Sequence, residues 1–190
     1  MFPVFRANYS KDPWQRASGA EMAGTPAIAG LPDFFREFGG ASFGEGIYRV
    51  IIPAEMEDWR GRLKLAFPAH QDAIPFAYDW LGRLFVLEQD RLVDGEPAVV
   101  MLEPGTGEAL EVPSNLRTFH EVELIDDHDA ALASKFFEAW RTEGNPAPKY
   151  DECAGYKVPL FLGGADDLTN LELSNIDVYW HIMGLIIEKI

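Results

Sequence analysis

The sequence predicts an α+β fold: a mixed or antiparallel sheet with packed helices, in two intimately associated subdomains. Short β-branched and aromatic runs bounded by turn residues cluster between residues 46 and 102. Apolar residues recur at helical spacing on both sides of that cluster. A 190-residue chain with 47% apolar and 13% aromatic residues can bury a substantial core. The expected organisation is a lead-in over 1–30, a first α+β domain over 31–112 and a second over 113–190.

Residues 10–30, with Pro13, Gly19, Gly24, Pro26 and Gly30, read as an extended lead-in with a short helical turn. Leu31-Pro32-Asp33 opens a helix, Phe34, Phe35 and Phe38 form its buried side, and Gly39-Gly40 stops it. Gly46–Ile52 suits a strand. Pro53 starts a second helix with Met56, Trp59, Leu63 and Phe67 on one face. An antiparallel meander follows over Ile74–Trp80, Arg83–Gln89 and Ala98–Leu102, turning at Leu81-Gly82 and Asp94-Gly95-Glu96. The second part begins near Val112-Pro113-Ser114 with a helix to about Val122. Asp129 is placed to cap the next helix, whose stripe is Leu132, Phe136, Phe137 and Trp140. Lys157–Leu162 reads as a strand and Asn170–Leu173 as a short extended piece. A closing helix from about Asn175 to Ile190 is apolar on nearly every side, which predicts a central core helix.

Sixteen basic residues face 31 acidic ones, a net charge of -15. That field repels nucleic acid and anionic membranes and draws in basic partners, so direct nucleic-acid or membrane binding is not expected. An acidic surface also simply favours solubility. Cys153 is the one cysteine, so no intrachain disulfide or thiolate zinc site is expected. The N-terminus shows no secretory signal pattern, and the most apolar stretch, 176–190, falls short of the ~20 residues a membrane span needs. A cytoplasmic protein is expected.

No residues announce catalysis, a cofactor or a metal. Gly40-Ala41-Ser42-Phe43-Gly44 matches the G-x-S-x-G pattern of a nucleophile elbow, but that elbow needs a strand before the serine and a helix after it. Here a helix precedes and a strand follows, so a helix-ending glycine loop is the better account. The histidines form no H-x-x-x-H pair. A metal gathered by His120, Glu121, Glu123 and His128 lacks convergent geometry, and His181 reads as a hydrogen-bonded core or interface residue. Gly163-Gly164 lacks the Lys-Ser/Thr of a phosphate loop and is followed by Asp166 and Asp167. Cys153, with only Lys157 as a nearby cation, reads as a buried, inert thiol.

The acidic run is the ambiguous feature. Glu121, Glu123, Asp126, Asp127 and Asp129 put five carboxylates within nine residues. Carboxylates before a helix are favoured by its dipole by ~0.3–1 kcal/mol each. The same residues could instead meet the basic cleft of a nucleic-acid enzyme, and the two readings are compatible. With Asp166 and Asp167 they form the candidate partner-binding set.

Two C-terminal segments narrow the reading. Cys153-Ala154-Gly155-Tyr156-Lys157-Val158-Pro159-Leu160-Phe161-Leu162-Gly163-Gly164, continued by Asn170-Leu171-Glu172-Leu173 and Asp177-Val178-Tyr179-Trp180-His181-Ile182, resembles the C-terminal domain of the Tdi family. These are immunity proteins paired with type VI secretion DNase effectors. Residues from about 31 to 112 resemble the GAD-like domain that precedes this module in the family. That resemblance rests on Gly46-Ile47-Tyr48-Arg49, Phe76-Ala77-Tyr78-Asp79-Trp80-Leu81-Gly82-Arg83 and Glu103-Pro104-Gly105-Thr106-Gly107-Glu108. The closing helix departs from the pattern at Leu185, where the family often carries glutamine. The resemblance implies a cytoplasmic protein without catalysis of its own, which binds a cognate toxin, a basic nuclease, and stops it degrading DNA. A regulatory or scaffolding α+β module without toxin specificity is the alternative. A hydrolase using Ser42 ranks last.

Overall fold

The computed structural model describes residues 1–16 and 26–189. The glycines at 19 and 24 and the end of the closing helix at Ile190, both part of the expectations above, lie outside the described residues. Six strands form one antiparallel sheet in which every strand pairs with its neighbour in sequence: β1 (Ser42–Phe43), β2 (Tyr48–Val50), β3 (Ile74–Asp79), β4 (Leu84–Val93), β5 (Glu96–Glu103) and β6 (Glu108–Asn115). A second, two-stranded sheet pairs β7 (Glu152–Tyr156) with β8 (Leu171–Asn175). The fold class expected from the sequence is the one observed. At the β4–β5 hairpin, Asp94 and Gly95 both take positive φ, which matches the right-handed twist of the strands they join.

Helices cover both faces of the large sheet. On one side lie α1 (Pro3–Asn8), α2 (Leu31–Phe38) and a stretch running through α4 (Leu116–Thr118), a π-helical turn (Phe119–Glu123) and α5 (Leu124–Asp126). On the other lie α3 (Met56–Ala66) and α8 (Ile176–Ile187). A bulge between Pro75 and Ala77 serves both layers. Phe76 meets Phe34 and Phe119 on the first side, while Tyr78 meets Trp59 and Tyr150 on the second. Asn115 and Thr118 form a capping box that starts the α4 stretch. Asn175 caps α8 by accepting from the Asp177 and Val178 N–H groups.

Several elements differ from the sequence expectation. Helix α1 was not foreseen: six residues show too little periodicity, and its first N–H groups are satisfied from far away in the chain. Strand β6 was also missed, because Pro113 interrupts its pattern; this edge strand tolerates a proline that would break a central one. It runs through the position where the second part was expected to begin. The predicted strand over Lys157–Leu162 is instead a turn with a 3-10 segment at Leu160–Leu162, since Pro159 has no N–H to donate; the strand lies earlier, over Glu152–Tyr156. The stripe around Leu132 and Phe136 belongs to two helices, α6 (His128–Leu132) and α7 (Ser134–Thr142), broken at Ala133 in a left-handed conformation. Finally, α8 is not a central core helix. Tyr179, Trp180 and Met183 are buried, but Val178, Ile182 and Leu185 form an exposed stripe and His181 is exposed.

The C-terminal elements grip the β3–β4 hairpin. Trp80 donates from its indole to Leu132 O, and Trp180 donates to Gly82 O, each over 2.9 Å. Ala154 N donates to Trp80 O. The fully buried Arg49 guanidinium donates to the carbonyls of Lys149, Glu152 and Asp79, stitching β2 to the segment that leads into β7. Close approach needs small residues here. A Cβ on Gly155 would stand 2.5 Å from the Tyr179 ring, and one on Gly184 would stand 2.7 Å from Leu65 where α8 crosses α3.

Candidate partner-binding cleft

The seven candidate carboxylates divide by what they touch. Glu121 accepts from the Val4 and Phe5 N–H groups, so it satisfies the start of α1 and fastens that helix to the π turn. Glu123 accepts from the Ser114 hydroxyl over 2.7 Å. Asp167 accepts from the Thr169 N–H and hydroxyl, which hold its carboxyl below the usual range and start a 3-10 turn. Asp129 was expected to cap the helix after it; it reaches instead across Ala133 to α7, accepting from Lys135 N over 2.9 Å and pairing with the Lys135 ammonium. Asp126 and Asp127 are exposed and make no side-chain hydrogen bond among the described residues. Asp166 accepts from the Tyr156 hydroxyl over 2.6 Å.

Asp129 and Asp166, distant in sequence, line one cleft of about 470 Å³ between the large sheet and the C-terminal elements. Its floor is a buried charge network that the sequence reading did not single out. Asp79, at the end of β3, accepts from the N–H groups of Leu81 and Arg83 and from Arg83 Nε over 2.6 Å. Burial works against the Arg83 charge, and Asp79 and Glu103 outweigh it. Arg83 Nη2 also donates to Ala131 O. Glu103, at the end of β5, accepts at Oε1 from the Gly105 N–H, and burial raises its carboxyl to about 7 although Arg83 pulls the other way. The signal for these residues was a charged group closing an apolar strand, Glu103 after Val-Met-Leu and Arg83 beside Asp79 in Asp-Trp-Leu-Gly-Arg. Asp127 and Glu123 lie elsewhere, at the edge of a groove of about 250 Å³ whose apolar walls include Phe85, Met101 and Phe119.

The other residues weighed for chemistry have structural partners. Ser42 is buried on β1 and donates to Asp12, which also accepts from the Glu45 and Gly46 N–H groups and so folds the glycine loop. Burial pushes the Cys153 thiol well above its ordinary range. His120 is fully buried among Phe2, Phe5 and Phe34. Nδ1 faces Leu116 O at 2.7 Å, an acceptor only, so Nδ1 carries the proton and Nε2 accepts from the Tyr48 hydroxyl at 2.8 Å. Burial lowers its pKa to about 3. No group of three or more His, Cys, Asp or Glu among the described residues is arranged to hold a metal.

Residues 117–186 match the model of a family described as T6SS immunity protein Tdi1, C-terminal. This supports a place among the type VI secretion immunity proteins. The matched segment supplies one wall of the cleft, with Asp129, Lys135, Tyr156 and Asp166, while Arg83 and Glu103 come from outside it. No curated protein matches the chain. Among solved structures, the crystal structure of Atu4351 from Agrobacterium tumefaciens shares the fold, with a TM-score of 0.57 at 12% identity over 97% of this chain and 88% of that one. No helix among the described residues is long and apolar enough to cross a membrane.

Proposed function

We propose that this protein is an immunity protein, which binds a cognate type VI secretion toxin in the cytoplasm and neutralises it by contact, without turning over a substrate. The family match over residues 117–186 carries this reading. The finer proposal is that the toxin is a basic nuclease that cuts DNA. Its support is electrostatic. A chain of net charge -15 is steered towards a cationic phosphate-binding surface, and speed matters when the toxin must be caught before it reaches the chromosome. The first part of the chain, 31–112, is proposed as a GAD-like domain and 113–190 as the immunity domain. The exposed Asp126 and Asp127 and the cleft with Asp129 and Asp166 are proposed as contact points.

Co-expression with a type VI effector encoded immediately upstream tests this. Cells holding both proteins should keep intact chromosomal DNA and yield a copurifying complex, while cells holding the effector alone should not. Degraded DNA in the presence of both, with no complex, would contradict the reading.

A further inference from the structure

We propose that the free edge of the large sheet, strand β6 over Glu108–Glu111, receives an extended segment of the protein partner as an added antiparallel strand, with cations opposite Glu108 and Glu111 and an apolar side chain opposite Leu110. This rests on the reading of the chain as a partner-binding immunity protein and names the chemistry by which it binds.

The two edges of the sheet are finished differently. At β1 the chain closes its own edge: Lys11 bridges to Phe43, and the Asp12 N–H donates to Ser42 O. At β6 no strand among the described residues lies outside, and Glu108, Ala109, Leu110 and Glu111 are all exposed. An edge strand presents alternate N–H and C=O groups to whatever can pair with them. The regular register with β5 runs from Glu103↔Glu108 to Val100↔Glu111 and then shifts, and Pro113 has no N–H to offer. The free stretch is therefore short. It fits a brief strand and does not template a long one.

A groove beside this edge supplies a place for a side chain. Paired residues of an antiparallel sheet share a face, so Phe85, Met101 and Leu110 form one row. The row rises from the interior to the edge: Phe85 is 0% exposed, Met101 6% and Leu110 43%. It floors the apolar groove of about 250 Å³, which Phe119, Ala130 and Ala131 also line. A strand added to β6 sets its residue opposite Leu110 in line with this row, where an apolar side chain covers Leu110 and the mouth of the groove.

Charge selects the occupant. Glu108 forms no ion pair among the described residues, and Glu111 has only Arg91 Nη1, 3.9 Å from its Oε2. Cross-strand neighbours of opposite charge stabilise a strand pair, and like charges oppose it. A second copy of this chain is thereby disfavoured: two β6 edges paired antiparallel over this stretch would set Glu108 against Glu111 twice, between molecules of net charge -15. A partner segment that reads cation, apolar, any residue, cation meets Glu111, Leu110, Ala109 and Glu108 in turn. Glu123 and Asp127 at the groove add to the same preference.

The test uses the whole protein and the peptide acetyl-Thr-Arg-Leu-Thr-Arg-Thr-amide, followed by amide NMR. Two N-methylated versions of the peptide each block one alternate set of its N–H groups. The expected result is saturable shifts and slowed amide exchange at Glu108–Glu111. One methylated version should bind about tenfold more weakly or worse while the other stays near the parent, because only one set of N–H groups faces β6. Leu110→Glu, and Glu108→Lys combined with Glu111→Lys, alter exposed positions and should each weaken the parent peptide's binding as well. Absence of saturable shifts in the wild type, an equal response to the two methylated versions, or a dimer joined through β6 without peptide would overturn the proposal. The co-expression assay separates it from the broader reading. Protection from the effector without a peptide response removes the edge site and leaves the immunity function; a peptide response without protection does the reverse.

Discussion

Two of this protein's buried polar centres, those around His120 and Arg83, are built oppositely. The centre around His120 is sealed. The imidazole is neutral, both ring nitrogens are satisfied, and phenylalanines from α1 and α2 close around it. The centre around Arg83 is open. Arg83 is shared between Asp79 and the more distant Glu103, whose Oε2 stands 3.7 Å from its Nε, and a cleft reaches the network. A closed and satisfied network specifies packing; one that borders a cleft keeps its charged groups within reach of solvent. Burial alone therefore does not mark a site.

The largest effect is expected from Arg83→Ala, which strands Asp79 and Glu103 in the interior; unfolding in urea should show a loss of about 3–5 kcal/mol. His120→Phe keeps the ring volume but leaves the buried Tyr48 hydroxyl without its acceptor, at a cost of about 1–3 kcal/mol. Acid sensitivity should follow His120 as well. Its folded pKa of about 3 lies below the unfolded value of about 6.5, so its contribution is present above pH 6.5 and is lost as pH falls towards 3. The His120→Phe variant should lack that component of the acid-unfolding curve.

Glu103 has the opposite sign. Its carboxyl is raised to about 7 from an ordinary value near 4.5. Stability from this group is therefore full below pH 4.5 and declines as pH rises through 7. Glu103→Gln removes that decline and should be more stable than the wild type at pH 8 by on the order of 1–3 kcal/mol, an exchange of stability for binding common at functional sites. The smallest effect on stability belongs to Asp126→Lys with Asp127→Lys. Both side chains are exposed, so the midpoint in urea should move by no more than about 0.5 kcal/mol, while association with a basic partner slows and its salt dependence weakens.

Much of the fold could be read from the sequence because the cues were local. Pro32 and Gly39 bound α2, Asp94-Gly95 turns β4 into β5, and Asn175 starts α8. Failures arose where the decisive partner is remote. Helix α1 depends on Glu121, and α8 keeps one apolar face uncovered in a way periodicity does not reveal. The site followed the same rule. The acidic run was visible as composition, yet Glu121 and Glu123 hold local structure, and Asp129 joins Asp166 only through the fold. Arg83 and Glu103 stood inside recognised segments without a reason to be chosen, since their meeting is a property of the sheet.

Calorimetric titration of a type VI effector that co-expression identifies as the partner, into wild type and Glu103→Gln with urea unfolding of both proteins alongside, bears most directly on the contrast between the sealed and open centres. The Gln variant should be at least as stable at pH 8 and bind the effector about tenfold more weakly or worse. Undiminished affinity in a folded Glu103→Gln protein would show that the open centre serves the fold alone.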